Sequence, residues 1–264
     1  MSVQHPMTVQ DRMAFQDRLT LQDRMTAYWS RWADEYDDQQ TARLRSADAR
    51  RTWRDVWERA LAPDPGDDPT AAHRPDALDV LDVGTGSGNA AIQVAGLGHR
   101  VTGIDLAPGM LERARAKASG VRFLPGDAIA PPFPEGAFDA IICRYVLWTL
   151  RDAQRALAAW HRLLRPGGIL AAVDSAWFPE DGELGDGLEG ARGEDFRDAY
   201  GAGVISELPL AAGRETEVRA ALEAGGFAHV TATPLYEVLE LDRRQGVAPG
   251  HRPQLQMLYR AVRA

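Results

Sequence analysis

The chain has 264 residues, 45% of them hydrophobic and 26% charged, proportions ordinary for a globular α/β protein with a sizeable core. A formal net charge of −8 at pH 7 works against a phosphate-binding surface, so nucleic acid is not expected as a partner. A lone cysteine, Cys143, excludes an intrachain disulfide and a cysteine-built zinc cluster. No apolar run reaches the roughly 18 residues of a membrane span, and the opening MSVQHPMTVQDR lacks the apolar core of a secretory signal. A cytoplasmic location without a membrane partner is expected.

The first residues repeat with a period of six, VQDRMA, FQDRLT and LQDRMT, from Val9 to Thr26. That period carries the apolar positions around all sides of a helix, so residues 1–24 read as an arm without one hydrophobic face, available for pairing two copies of the chain as a homodimer. From Met25 the pattern changes. Met25, Trp29, Trp32 and Tyr36 step by four, three and four and share one helix face. A second helix is expected over roughly 41–61, where Leu44, Ala47, Trp53, Val56, Trp57 and Ala60 recur at helical spacing. Residues 25–61 thus form a helical cap. Residues 62–76, rich in proline and aspartate and without periodicity, read as a linker into a main domain over 77–264.

In the main domain, short apolar runs near 78–83, 100–105, 121–124, 138–143 and 169–174 alternate with helical patterns near 88–97, 108–118, 151–164 and 213–225. This alternation predicts βαβ units, hence a doubly wound α/β fold with a parallel sheet and helices on both faces. Two last apolar stretches, near 229–241 and 254–262, are joined by DRRQGVAPGHR. With no helix read between them they predict a hairpin and an antiparallel last strand. Residues 175–212 are expected to form a substrate-side insertion, in which the acidic, glycine-rich 179–195 reads as a solvated segment, or more sharply as a lid.

The densest chemistry lies in DVLDVGTGSGNAAIQVA, residues 79–95, where Gly84, Gly86 and Gly88 follow an apolar strand. A nucleoside triphosphate would require a Gly-Lys-Ser/Thr ending, which is missing. A dinucleotide fits Gly84, Gly86 and the later Asp105, but the third glycine of that fingerprint falls on Asn89. The stretch VLDVGTGSG, with Asp82 as its acid, resembles the first motif of the class I S-adenosylmethionine-dependent methyltransferases. HRVTGIDLA, PGDA, FDAIICRYVLWTL and LLRPGGIL extend the resemblance over roughly 78–175. Ala107 departs from it where the family often has a serine.

The resemblance implies a seven-stranded Rossmann-like sheet of order 3-2-1-4-5-7-6, with S-adenosylmethionine as cofactor and S-adenosylhomocysteine as product. It places cofactor contacts at Tyr28 and Tyr36 of the cap, and at Asp82, Gly84, Thr85, Gly86 and Gly88 of the turn. Further contacts fall at Asp105, Leu106 and Met110 after the second strand, at Gly126, Asp127 and Ala128 after the third, and at Arg144 after the fourth. Asp105 suits the ribose hydroxyls, Asp127 the adenine amine, and Asp82 the cationic groups.

Aromatic residues collect where the acceptor should lie: Trp29, Trp32, Tyr145, Trp148, Trp177 and Phe178. They suit a flat, neutral aromatic or heteroaromatic metabolite, such as an indole-containing cyclic dipeptide or another secondary metabolite, methylated at nitrogen, oxygen or carbon. His251, in the loop before the last strand, and Asp174, at the end of the fifth, are the candidate catalytic groups. No pair of histidines has metal-ligand spacing, so no metal is expected. The alternatives are an NAD(P)-dependent oxidoreductase and a non-catalytic cofactor-binding member of the family.

Overall fold

The computed structural model describes residues 20–63, 75–118, 120–178, 190–247 and 252–264. The first helix, α1 (Leu21–Arg31), starts inside the last hexad of the repeat. There Thr20 accepts from the Asp23 amide while the Asp23 carboxylate accepts from the Thr20 amide at 3.0 Å, a reciprocal cap that fixes a helix start. Residues 1–19 of the expected arm lie outside the described residues.

Two helices are expected before the linker, and among the described residues three form. α2 (Ala33–Arg43) follows a break at Trp32, and α3 (Ala47–Leu61) starts where the Ser46 hydroxyl accepts from the Ala49 amide at 3.0 Å. The helix expected over 41–61 therefore begins only at the Ser46 cap, residues 41–43 belonging to α2. These helices also divide by location. Trp53, Val56 and Trp57 of α3 pack in one core with Val80, Ile142 and Val173 of the sheet, so α3 belongs to the sheet-covering layer. Met25 and Tyr28 of α1 pack instead with the insertion.

The sheet has seven strands in the order β3-β2-β1-β4-β5-β7-β6. They are β1 (Asp79–Val83), β2 (Arg100–Asp105), β3 (Arg122–Pro125), β4 (Phe138–Arg144), β5 (Leu164–Ser175), β6 (Phe227–Pro234) and β7 (Gln256–Arg263). β7 runs antiparallel between β5 and β6, and the remaining pairs are parallel. Alternate strand residues feed opposite cores, Val80 and Ile142 one, Leu81 and Ile141 the other. On the first face lie α3, α4 (Asn89–Ala95), α5 (Pro108–Lys117) and α10 (Tyr236–Gln245). The second is covered by α6 (Ala153–Leu163) and α9 (Glu215–Ala224).

Two expectations are corrected. The stretch near 229–241 is not one strand: β6 ends at Pro234, and Leu235, Val238, Leu239, Leu241 and Asp242, which recur at helical spacing, are the buried positions around α10. The last two strands therefore pair across an intervening helix. The segment 179–195 is not solvated throughout: its last residues form the first turns of α7 (Gly190–Tyr200), where Gly193 is buried and Arg192 and Asp195 are half-buried, and α7 leads into α8 (Ala202–Glu207). Residues 179–189 lie outside the described residues.

Gly88, at the start of α4, has φ +81°, and a Cβ built there would stand 2.7 Å from the Phe123 ring and 3.1 Å from the Ala114 methyl. Left-handed strain and overpacking coincide, so Gly88→Ala is expected to lower stability by about 2–4 kcal/mol. The expected result in urea unfolding is an earlier midpoint with an unchanged slope.

Candidate active site

In an open α/β sheet the ligand crevice lies beyond the carboxyl ends of the strands, and here the glycine turn floors it. The Thr85 amide donates to the Ile104 carbonyl at 2.8 Å, tying the turn to β2. The Gly86 amide donates to Asp105 Oδ2 and the Ala107 amide to Asp105 Oδ1, each at 2.8 Å. At Gly86, φ is +54° and a Cβ would meet only the Met110 sulfur at 4.0 Å; bare backbone borders open space there, as a ligand lying against it requires.

That space is a cleft of about 830 Å³, mouth included, bordered by the turn, Asp105, Asp127 and α1. A smaller hollow of about 300 Å³ adjoins it, lined by Asp82, Thr85, Ser87 and Asn89. Tyr36, Gly84, Gly86 and Arg144 border both spaces.

Asp82 is 1% exposed, and Thr85 Oγ1 donates to its Oδ2 at 2.6 Å. Burial pushes its carboxyl up to about 7, against the hydrogen bond from Thr85 and the field of Arg144. Arg144 is engaged elsewhere, donating to Gln40 at 3.3 Å and lying 4.9 Å over the Trp53 ring. Among the described residues no cation is in ion-pair contact with Asp82. A buried carboxylate lacking a counter-ion beside a polar hollow fits the ammonium of S-adenosylmethionine. Burial also raises the Asp105 carboxyl, opposed by the amides of Ala107, Gly86 and Leu106. Asp127 Oδ1 accepts from the Ile129 amide at 2.9 Å, leaving Oδ2 facing Arg151 at 3.9 Å.

Most of the residues expected to meet a cofactor converge. Asp105, Leu106 and Met110 border the cleft on one side; Gly126, Asp127 and Ala128 border it on another. Gly88 instead makes room for Phe123. Tyr28 is absent from the cleft wall; it is buried with its ring edge-on to Phe196, and its hydroxyl accepts from Arg192 at 3.3 Å.

The aromatic set divides. Trp29 and Tyr145 border the cleft. Trp32 donates its indole N–H to Asp195 at 2.8 Å, and Trp148 packs on Tyr200 at 5.0 Å and on Phe178 at 5.2 Å. Trp177 meets Tyr145 edge-on at 4.9 Å. These four stand behind the wall. Asp174, 3% exposed, accepts from the Ser175 amide at 2.9 Å, the Trp177 indole at 2.6 Å and the Trp148 amide at 3.4 Å. Burial pushes it up to about 6, but its oxygens hold the loops after β4 and β5 and do not border the cleft. His251 lies outside the described residues.

The sequence reading missed Gln22, Met25 and Thr26 of α1, and Thr149, Arg151 and Tyr200, all bordering the cleft. The Thr20–Asp23 capping box was the available signal that α1 begins early enough to present Gln22. Tyr200 lies in a segment whose acidic composition concealed a helix.

Residues 81–172 match the model of a methyltransferase domain family. The chain is 42% identical over 101 residues to demethylmenaquinone methyltransferase of Thermus thermophilus, an alignment covering 36% of this chain and 46% of the relative. It is 34% identical over 156 residues to malonyl-[acyl-carrier protein] O-methyltransferase of Serratia marcescens, covering 59% and 55% of the two. The chain thus spans about half the length of the curated relatives it matches. Among solved structures, a methyltransferase of Thermotoga maritima described as a possible histamine N-methyltransferase superposes with a TM-score of 0.59 at 16% identity, over 90% of this chain and 99% of that one. That likeness is one of fold.

Sheet order, glycine turn and motif define a nucleoside-binding α/β domain of the methyltransferase type. Over residues 81–172 the chain carries a methyltransferase domain, and the match together with the curated relatives supports a class I S-adenosylmethionine-dependent methyltransferase.

Asp82 supplies a pH-dependent prediction. Its folded value, about 7, lies above the ordinary 3.8, so the free protein holds a proton that the unfolded chain releases. The associated stability is present below pH 3.8 and lost as pH rises through about 7. An ammonium beside Asp82 favours the carboxylate, so S-adenosylhomocysteine binding near pH 6 should release up to about one proton, and near pH 8 almost none. Calorimetry in buffers of different ionisation heat checks this, and Asp82→Asn should remove the release.

Proposed function

We propose that this protein transfers the methyl group of S-adenosylmethionine to a small aromatic or heteroaromatic acceptor, at nitrogen, oxygen or carbon. The observation that carries the reading is the meeting, in one cleft, of the glycine floor and Asp105 with the rings of Trp29, Tyr36 and Tyr145. S-adenosylmethionine, when bound, supplies an electrophilic methyl carbon on a sulfonium. The protein's residues hold the two reactants in line and keep water out, which can account for much of the barrier reduction in such a displacement. In this reading the Asp105 carboxylate accepts from the ribose hydroxyls, Asp127 Oδ2 from the adenine amine, and Asp82 meets the ammonium. Flat apolar walls from Trp29 and Tyr145 suit a ring of similar shape. Asp174 serves by fixing Trp148 and Trp177 behind those walls, while His251 is the candidate base for an N–H or O–H acceptor.

Methyl transfer is favoured over dinucleotide oxidoreduction by the small hollow, where a buried carboxylate stands ready for a cation and would repel a pyrophosphate. We place the enzyme in the cytoplasm, with the N-terminal arm, residues 1–24, pairing two copies; a chain starting at Thr20, without most of that arm, that sediments unchanged would remove that pairing. No helix among the described residues is long and apolar enough to cross a membrane.

Incubation with methyl-labelled cofactor and small-molecule extracts is expected to yield an acceptor heavier by about 14 Da; saturable binding of NADH, with none of S-adenosylhomocysteine, would reverse the assignment. Asp105→Ala should weaken S-adenosylhomocysteine binding by about 1.5–3 kcal/mol, as expected for hydrogen bonds to a charged group. Calorimetric titration reads the difference, and an unchanged affinity would remove Asp105 from the ribose site.

A further inference from the structure

The cleft holds a cation that protein partners leave largely uncommitted. Arg151 follows the 3-10 turn after β4 (Leu147–Thr149) and borders the cleft, as do Gln22 and Thr26 of α1. Its Nε is shut off from solvent and has no hydrogen-bond partner among the described residues. Its terminal nitrogen comes no nearer than 3.9 Å to Asp127 Oδ2, an ion pair longer than a hydrogen bond. Asp23, a fully exposed carboxylate on α1, also lies in its field. By contrast, Arg144, the second guanidinium of the cleft, donates to Gln40 and lies over two aromatic rings.

Closed to solvent, Arg151 Nε is closed to the open cleft as well, so a ligand there meets the partly exposed terminal nitrogens, and a guanidinium offers such donors as a planar fork matched to two oxygens of one anion. Asp127 cannot fill that role from 3.9 Å, and one of its oxygens is already held by the Ile129 amide. The other polar groups around Arg151 at the mouth, Gln22 and Thr26, bond to each other at 3.2 Å. A ligand group reaching this point would find one cationic fork above an apolar, aromatic interior.

We propose that the acceptor carries an anionic planar group, a carboxylate, which Arg151 grips at the mouth of the cleft while the ring enters between Trp29 and Tyr145. This rests on the methyltransferase reading and narrows it, replacing the neutral acceptor expected from the sequence with an aromatic acid. Arg151 acts as a specificity-determining residue: it orients the acceptor and takes no part in bond making.

The test uses the full chain saturated with S-adenosylhomocysteine and two probes of equal shape, indole-3-carboxylate and indole-3-carboxamide, titrated calorimetrically at low salt. The carboxylate is expected to bind at least about tenfold more tightly than the amide, the range of a charge-assisted hydrogen bond. Arg151→Gln should bring the ratio to about twofold or less. Arg151→Lys, keeping charge but losing the fork, should fall between. Equal affinity of the two probes, binding of neither, or an undiminished preference in Arg151→Gln overturns the proposal. S-adenosylhomocysteine titration of each variant reports folding and loading, and failure of the unmodified chain to bind it would sink the methyltransferase reading itself. Binding of S-adenosylhomocysteine without a carboxylate preference sinks the present inference alone.

Discussion

Two backbone amides converge on one carboxylate, and the rest of the site is arranged around that clamp. Asp105 ends β2, and its oxygens take the amides of Gly86 and Ala107 at 2.8 Å each. Glycine turn and α5 entry are thereby fixed to one strand end. Ala107 provides no side-chain cap for α5; the Asp105 carboxylate takes the amide of that N-cap residue itself, not the amides one turn further in that a serine there would have served. With the turn pinned, Gly86 can leave its backbone open to the cleft. Both Asp105 oxygens retain acceptor capacity beyond these amides, which lets a structural clamp also serve as a ligand contact.

A second constraint sets the position of α1 and α2. Gly109 on α5 approaches the Ser30 carbonyl so closely that a Cβ would lie 2.4 Å from that oxygen. Asp37 on α2 pairs with Lys117 and lies 3.7 Å from Arg113, both on α5. The Asp37 side chain is 8% exposed, so this is an ion pair removed from water, costly to break from one side. α1 is also joined to α7 by the Trp29 indole donating to the Tyr200 hydroxyl at 2.7 Å, and by the rings of Tyr28, Phe196 and Tyr200. Such aromatic pairs contribute about 0.5–1.5 kcal/mol each beyond burial, whereas an exposed pair such as Arg31–Asp195 contributes about 1 kcal/mol or less. Ring packing therefore decides where α7 sits on α1.

Legibility in the sequence followed the range of the interactions. β1 and the glycine turn were readable because apolar run, acid and glycine spacing are neighbours in the chain. The sheet order came from the resemblance, since parallel pairs such as Leu81 with Ile141 join residues too far apart for periodicity to report. α10 was misread because Leu235, Val238 and Leu239 fit a short apolar run as well as a helix face, an ambiguity local pattern does not resolve. Trp32, Trp148, Trp177 and Phe178 were placed near the acceptor by chain position alone. Whether an aromatic ring faces the cleft or stands behind it depends on packing against α7, a helix that glycine and acidic residues had disguised.

The same reasoning explains why Asp82 and Asp174, alike in burial and in raised carboxyl values, have different consequences. Asp174 receives two amides and the Trp177 indole, so its neighbours largely compensate its charge and it acts as a joint between loops. Asp82 receives the Thr85 hydroxyl and the Ala91 amide beside an open hollow, and its charge is under-compensated. A carboxylate satisfied by its own fold has little to gain from a ligand cation. One that remains under-compensated gains most of the missing interaction on binding, so the burial that disfavours the charge in the free protein becomes selectivity for a cationic ligand group.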